Sequence, residues 1–557
     1  MNQSALPGTK IVITYGPSCR DEAVLRKMIM SGATCIRLNT AHSRPEDLLE
    51  LVGFRDRIYE SDGICVAIMV DLKGPELRAL TEKPQIIIEN GKKYTLSGKG
   101  RKADISVAVD SVIPIIQKGD RILFMDGKLI FSVVENIDGL CTIIAENDGI
   151  LKNNGRMNIP GRYVPLGILQ ERDMEYLKLS VENKIDYIAL SFVQERKEID
   201  LVHDEILRMG GTCKIIAKIE TKQAMDNLQH ILKASDAMMV ARGDLGVEMP
   251  INEVTLSQKL IIRKARASGI PTIVATQMLE SMVENETPTR AEISDVTNAI
   301  IDGADSLMLS EESAIGKYPL KAVETLKDTA LLVEKEFFSY SEPEEFSGSR
   351  ITYSIARAAK VMSHEAKAHR ILVLTRTGNT ARMVCAVRPE VNVTAATPSR
   401  TVAGQMGILR GVRPVIIEIG KQRSISGIID ELQEKGAIMK WERIVVASGT
   451  EQFLFSGTSQ VTVMTAGKMI IRGYTGGGKI SCSINAGSML VLSEGVGRLD
   501  DSMLKKYDIF VFRGEVERSS LEKIVNSGKT YLRNSIVMKE PGNDPIYIDW
   551  DLGAVYS

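Results

Sequence analysis

At seven places in this 557-residue chain, polar and reactive side chains stand directly behind a short apolar run. Two are dense: Lys218-Ile219-Glu220 and Arg242-Gly243-Asp244. Glu220 and Asp244 offer hard oxygen ligands from consecutive runs, a pairing that suits Mg²⁺ or Mn²⁺. Arg37-Leu38-Asn39 with His42 just beyond, Asp71-Leu72-Lys73, Ser191-Phe192, Thr276-Gln277 and Ser310 with Glu312 complete the set. Arg37, Lys73 and Lys218 suit a phosphate, the arginine as a bidentate fork and the lysines as point charges. A metal pair beside convergent cations is what phosphoryl transfer needs, since positioning and charge neutralisation do most of that work. Any one of these residues taken alone is equally well explained by a solvated loop. Their joint placement is not.

The elements behind them are eight continuous, β-branched runs: Lys10–Gly16, Cys35–Thr40, Ile64–Leu72, Tyr187–Val193, Lys214–Glu220, Ala237–Leu245, Thr272–Met278 and Ser306–Ser310. Continuous rather than alternating apolar runs mark parallel strands buried on both faces. Helix-period stretches such as Asp21–Ser31, Arg196–Met209 and Leu256–Ala267 lie between them. The pattern predicts a (β/α)8 TIM barrel over 1–73 and 165–342, whose sites gather at the C-terminal ends of the strands. Residues 74–164 break the rhythm with short strands at Lys93–Ser97, Arg121–Met125, Lys128–Val134 and Leu140–Glu146, and with turn pairs Asp126-Gly127 and Asp138-Gly139. They predict a small β-barrel lid inserted between strand 3 and helix 3. Ser341–Glu345 marks a boundary before an α/β domain over 343–468, and 469–557 forms an extra β-rich C-terminal domain.

Composition excludes several classes. Lys+Arg 70 against Asp+Glu 71 leaves a net charge of −1, which argues against nucleic acid as a partner. Apolar runs such as Val66–Val70 are far too short to span a membrane, and the N-terminus shows no apolar signal core. The seven cysteines form no CxxC pair, which speaks against disulfides or structural zinc and for the reducing cytoplasm. All five histidines lie at or before His369.

With these residues placed, the chain resembles the pyruvate kinases over about 8–468. The resemblance rests on Lys10–Pro17 (KIVITYGP), Arg37–His42, Asp71–Arg78 (DLKGPELR), Asn158–Gly161 (NIPG), Lys218–Glu220, Val240–Glu248 (VARGDLGVE), Ala275–Met282 (ATQMLESM), Arg290–Asn298 (RAEISDVTN) and Met308–Pro319. It implies phosphoryl transfer from phosphoenolpyruvate to ADP, giving pyruvate and ATP. By the same resemblance Glu220 and Asp244 hold Mg²⁺ or Mn²⁺, and Lys218 and Arg37 neutralise the transferring group. Gly243 and Asp244 bind the substrate carboxylate through backbone N–H groups, and Thr276 stands beside the enolate. Arg78, His42 and Asn39 lie toward the nucleotide. A homotetramer is the family expectation.

Potassium is left open by conflicting residues. Asn39 and Asp71 match the ligands of potassium-dependent relatives. Ala41 replaces the serine ligand, and Leu72 stands where threonine is usual. Leu72 points to the potassium-independent subgroup, whereas Glu76 does not. Glu311 also departs from the usual glycine, in a segment read as a surface loop. Thr375–Arg382 (TRTGNTAR) follows a strand and opens a helix, so Thr375, Thr377, Gly378, Asn379 and Thr380 form a candidate phosphate cradle. The resemblance implies a phosphorylated effector there in an α/β effector domain, with Gly457-Thr458-Ser459 resembling the later half of that region. Ser488–Leu492, Ile509–Arg513 and Ile546–Tyr556 faintly resemble a phosphohistidine swivelling domain, but 469–557 has no histidine to carry that chemistry. Trp550 reads as a core residue. Gly473–Lys479 matches G-x4-G-K, yet Ile480 replaces the Ser/Thr of a P-loop, so the match is a decoy. Two other readings stand beside these: a barrel lyase or aldolase with the same metal pair, and a catalytically silent regulatory paralogue.

Overall fold

In the computed structural model the described residues are 6–337, 346, 350–418, 425–439, 442–449 and 460–466, with 472–475, 478–481, 489–492, 509–512, 523, 530–533, 536–538 and 547–549 beyond them. Ser341–Glu345, Gly457–Ser459, Gly476-Gly477 and Trp550 lie outside the described residues. Among the described residues no helix is long and apolar enough to cross a membrane.

All eight expected strands form, and they close on one another. They are β1 (Lys10–Thr14), β2 (Ala33–Asn39), β3 (Ala67–Leu72), β4 (Tyr187–Leu190), β5 (Lys214–Ile219), β6 (Ala237–Ala241), β7 (Thr272–Ala275) and β8 (Ser306–Met308), in one parallel closed barrel in chain order. Alternate residues divide between two cores, as the two-residue period of a strand requires. Val12, Cys35, Met69, Ala189, Ile216, Met239, Ile273 and Met308 fill the interior. Ile11, Ile13, Ile36, Ile68, Ile188 and Ile215 pack outward against the helices. Each such side chain taken fully out of water contributes about 1.5–3 kcal/mol.

Local chemistry sets the helix boundaries. Asp21 caps Glu22–Met30 by accepting from Ala23 N and Val24 N at 2.8 and 3.1 Å, and Leu25, Met28 and Ile29 form its buried stripe. Thr289 and Glu292 make a capping box at Arg290–Asp302, which Gly303 ends at φ +95°. One expectation fails here. The run Ala237–Leu245 is not all strand: β6 stops at Ala241, and Arg242–Glu248 is a short helix. Gly243 N–H donates to Thr276 Oγ1 at 2.9 Å, which holds that first turn against β7.

The chain between β3 and the helix Glu171–Glu182 forms a second closed barrel of seven short strands, from Leu77–Leu80 to Gly155–Asn158. Its core stacks Phe131 edge-on to Phe124 and Tyr94, at centroid distances of 5.3 and 5.8 Å. The hairpin Leu129–Ile137 to Leu140–Ala145 turns at Asp138 (φ 46°) and Gly139 (φ 81°), the positive angles that a two-residue hairpin turn demands.

The α/β part carries a five-stranded sheet in the order Val412–Ile416, Asn392–Thr397, Arg370–Leu374, Arg443–Ser448, Gln460–Thr465. The first four are parallel neighbours. The segment from Gly404 to Val412 closes the N-terminal end of the TIM barrel. Ile408 joins the interior core. The carbonyls of Gly407, Ile408 and Val412 accept from Thr34 Oγ1, Ser306 Oγ and Lys10 Nζ at 2.7, 2.9 and 2.6 Å. At Gly404 a Cβ would stand 2.1 Å from Asp186 Oδ1, so only glycine permits this approach.

A second compact unit comprises 423–441 and 465–557. In it Arg472–Thr475 pairs antiparallel with Gly478–Ser481, and Met489–Leu492, Ile509–Phe512 and Thr530–Arg533 form a parallel three-stranded sheet. Gly473 and Lys479 thus lie in facing strands of a hairpin, opposite Ile480 and Tyr474. A P-loop would place them between a strand and a helix.

Candidate active site

Lys218, at the end of β5, is buried at the C-terminal mouth of the barrel. Its Nζ lies 2.7 Å from Ser191 Oγ, 2.9 Å from Glu220 Oε1 and 3.2 Å from Asp71 Oδ1. Asp71 and Leu72 face Ala189 and Leu190 in register, and Asn39 faces Asp71, so parallel pairing alone brings these strand ends together. Arg37 reaches Asp71 Oδ2 with both Nε and Nη2 at 2.7 Å and Thr14 Oγ1 with Nη1 at 3.1 Å. Ser191 Oγ in turn donates to Leu72 O at 2.8 Å.

This geometry sets the protonation states. Burial by itself would lower the Lys218 ammonium, but Asp71 and Glu220 outweigh it and hold the group above its ordinary range. Burial would raise Asp71, yet Lys218 and Arg37 keep it below the usual carboxylate range. Glu220 goes the other way. Burial raises it, Lys218 opposes, and the charge of Asp244 adds to the rise. Glu220 Oε2 accepts from Phe192 N at 2.7 Å. Its Oε1 is buried against the Lys218 ammonium at 2.9 Å.

Asp244 sits in the first turn of Arg242–Glu248, where its Oδ1 accepts from Arg156 Nη1 at 2.7 Å. Thr276 and Gln277, just past β7, hold left-handed backbones at φ 66° and 55°, which β-branched threonine rarely adopts. Arg242 clamps that turn: Nη2 donates to Thr276 O at 2.6 Å and Gln277 O at 3.0 Å, while Nη1 pairs with Asp295 at 2.6 Å. Such strain persists only where the surroundings over-determine it.

Other expected residues stand apart from this centre. Lys73 Nζ pairs with Glu76 at 3.3 Å, and Arg78 bonds Glu76 as well as Asn154 O at 3.1 Å. His42 is exposed, and Asn39 Oδ1 accepts from Ala41 N at 3.2 Å. Glu312 is buried and accepts from Leu279 N and Ser310 N at 3.2 and 2.6 Å, so it ties the β7 and β8 loops together. Glu311 is exposed at the start of Glu311–Ala314, not in a loop; nothing in the structure explains its identity. Thr375 and Thr380 are buried, Thr377 and Asn379 exposed. Gly378, at φ 80°, donates to Thr375 Oγ1 at 3.0 Å and opens the helix Asn379–Ala386.

Thr14 and Arg156 escaped the sequence reading as members of the site, and Ser191 was placed in the ring without a role. Ser191 was visible as a strand-end hydroxyl. Thr14 belongs to the KIVITYGP stretch but reads as ordinary strand. Arg156, two residues before Asn158, carried only its charge as a signal.

A TIM barrel with a β domain inserted after its third strand, and a lysine buried among carboxylates at its mouth, defines a barrel phosphotransferase. The family model "Pyruvate kinase, barrel domain" matches residues 6–323, and "Pyruvate kinase, alpha/beta domain" matches residues 353–464. The chain belongs to the pyruvate kinase family, which transfers the phosphoryl group of phosphoenolpyruvate to ADP in glycolysis. It is 41% identical over 552 residues to a pyruvate kinase of Thermoplasma acidophilum, with 98% of each chain covered. With that of Thermotoga maritima it shares 36% identity over 79% of this chain and 96% of the relative. A crystal structure of a pyruvate kinase from Cryptosporidium parvum superposes with a TM-score of 0.77 at 29% identity, covering 83% of this chain and 97% of that one.

Proposed function

We propose that the ring around Lys218 is where this chain carries out the pyruvate kinase reaction. One observation supports it above all: an ammonium kept charged, buried, and within 3.2 Å of both Asp71 and Glu220. Such a group acts on the rate by meeting charge that grows in the transition state, on the phosphoryl oxygens and the enolate. Arg37, oriented by Asp71, grips the phosphoryl group from the opposite strand end. Thr276 stands beside the enolate, where its hydroxyl or a water held there delivers the proton that makes pyruvate. Gly243 and Asp244 face the substrate carboxylate at a helix start. There the carboxylate exchanges with the existing Gly243–Thr276 bond. Arg78, His42 and Asn39 take the nucleotide side.

Glu220 and Asp244 fit a divalent cation. Glu220 Oε1 is a buried carboxylate oxygen whose facing group is the Lys218 ammonium at 2.9 Å, and a hard cation prefers such oxygen donors. When bound, Mg²⁺ or Mn²⁺ draws negative charge off the phosphoryl and enol oxygens. Potassium fits less well. Ala41 has no hydroxyl, Leu72 O already accepts from Ser191, and both Asp71 oxygens face cations. Activity in Tris or Na⁺ is therefore expected to stay within about threefold of that with K⁺, less than the tenfold worth of 1.4 kcal/mol. A requirement for K⁺ would reverse that reading.

Thr375, Thr377, Gly378, Asn379 and Thr380 are proposed as a phosphate cradle for an effector. Their support is the helix start behind Gly378 and a place where the sheet order reverses, between Arg370–Leu374 and Arg443–Ser448. For 469–557 we carry the reading of a structural relative of the swivelling domain, without its histidine. A cytoplasmic homotetramer rests on the family expectation.

Lys218→Met tests the central role. It keeps the fold and lowers phosphoryl transfer by on the order of 10² or more in a coupled assay, the scale of one electrostatic stabiliser. Turnover near the wild-type rate would end the assignment.

A further inference from the structure

Alternate residues of one lid strand face the barrel. In Gly155–Asn158, Arg156 and Asn158 share a face. Arg156 Nη1 donates to Asp244 Oδ1 at 2.7 Å, and Asn158 Nδ2 donates to Glu248 Oε1 at 2.8 Å. Both acceptors belong to the short helix Arg242–Glu248. Arg156 also lies 3.3 Å from Asp126 in the lid, and its guanidinium carbon stands 4.8 Å from the centroid of the Phe192 ring. Its Nη2 is buried without a hydrogen-bond partner, as is Asn158 Oδ1. The lid thus meets the short helix through two hydrogen bonds, one of them a charged pair with side chains only 16% and 27% exposed. Gln194 Nε2 donating to Val164 O at 3.4 Å and Lys197 over the Tyr163 ring add contacts elsewhere on the barrel.

Asp244 Oδ1 cannot serve a guanidinium and a divalent cation along one direction. Asp244 is also the residue proposed above as a metal ligand, and the inference rests on that reading. We propose that Arg156 is a cation-sensitive latch: it fastens the lid through Asp244, and a divalent cation that takes Asp244 unfastens it. The half-satisfied guanidinium fits a group that changes partners. Once off Asp244 the guanidinium keeps Asp126, its partner within the lid, beside the crevice lined by Glu76, Asn158, Gln194, Thr221 and Glu248. Binding and release are reciprocal. The cation loosens the lid by the same factor by which the fastened lid weakens the cation.

The test needs the metal alone. Nitroxide labels at Lys102→Cys in the lid and Glu253→Cys on the barrel, both exposed sites, report lid position in a Cys65→Ser, Cys482→Ser background. Mg²⁺ is added to saturation, as judged by Mn²⁺ competition, without substrate. Saturating Mg²⁺ is expected to move the wild-type distance distribution toward longer or broader values. Arg156→Gln is expected to show that distribution without Mg²⁺, and to bind Mn²⁺ about fivefold tighter or more, the lower end of linked-site couplings. An unchanged wild-type distribution at saturating Mg²⁺ overturns the latch, whatever Arg156→Gln does. Asp244→Asn separates the two readings. If it leaves Mn²⁺ affinity intact, the metal assignment of Asp244 falls and the latch with it. If Mn²⁺ affinity drops while the wild-type lid ignores Mg²⁺, only the latch falls.

Discussion

Buried charge is unevenly tolerated in this molecule. Lys218 and Asp71 stay ionised because each neutralises the other, whereas Asp186 at the start of β4 has little beside it. Asp186 Oδ2 accepts from Ile68 N at 2.8 Å, yet burial outweighs this and raises the carboxyl to about 7. The ordinary value in an unfolded chain is about 3.9. Between those two values the folded state binds more protons than the unfolded one, so stability falls as pH rises. The contribution is full below about pH 4 and lost by about pH 7, and amounts to on the order of 4 kcal/mol at about 1.4 kcal/mol for each pH unit. Asp186→Asn keeps an acceptor for Ile68 and removes the charge. Its melting temperature is expected to vary less between pH 5 and 7 than that of the wild type, and to exceed it at pH 8. Parallel pH profiles of the two proteins would show that Asp186 does not titrate there.

The helix Asn379–Ala386 has a different role at each end. Its N-terminus opens at the Thr375–Gly378 loop. Farther along, Arg382 donates to Gly269 O at 2.6 Å, and just past its end Arg388 meets Asp305 at 2.7 Å. That pair is 2% exposed on both sides, Arg388 also donates to Gly303 O at 2.6 Å, and its backbone sits at φ 52°. Arg388→Met leaves Asp305 charged and buried, and is expected to cost about 3–5 kcal/mol in denaturant unfolding, the range for half of a buried pair. A loss below about 1 kcal/mol would mean that Thr272 N, 2.9 Å from Asp305 Oδ2, is sufficient compensation. Elements were also the most legible level of the sequence. Eight continuous apolar runs became eight barrel strands, because burial on both faces leaves few polar positions within them, and Arg37, Asp71 and Lys218 fall near their C-terminal ends. β6 was read too long because Arg242-Gly243-Asp244-Leu245 carries no local mark of its helical turn; a bond from Gly243 to Thr276 on the next strand holds it in place. Glu220, Asp244 and Lys218 were legible as strand-end charges. Arg156 was not, since its partner lies 88 residues away and its own strand shows only a lone cation.

On the scale of the whole molecule, the TIM barrel and the α/β sheet share one compact unit. The N-terminal end of the barrel is sealed by Gly404–Val412, with Ile408 inside and Lys10, Thr34 and Ser306 bonded to its carbonyls. A chain cut after residue 342 loses that seal. It is expected to bind a hydrophobic dye and to melt without a cooperative transition, although it retains every candidate catalytic residue. A sharp calorimetric transition for 1–342 would contradict this.

The seal also bears on how such chains diverge. Three of its polar contacts take main-chain oxygens from the α/β side and side chains from the barrel side, while Gln405 and Arg410 add side-chain contacts of their own to Thr212 O at 2.7 Å and Glu334 at 2.9 Å. A carbonyl is present whatever residue bears it, so the α/β partner can drift in sequence while still offering the same docking edge. Gly404, pressed on Asp186, and Gly407, where a Cβ would stand 2.9 Å from that of Ala67, are held to type by space. Chimeras that join this barrel to the α/β domain of a distant relative therefore need to keep two glycines, a backbone path and the arginines at 388 and 410 that pair with Asp305 and Glu334 of the barrel for the joint to close.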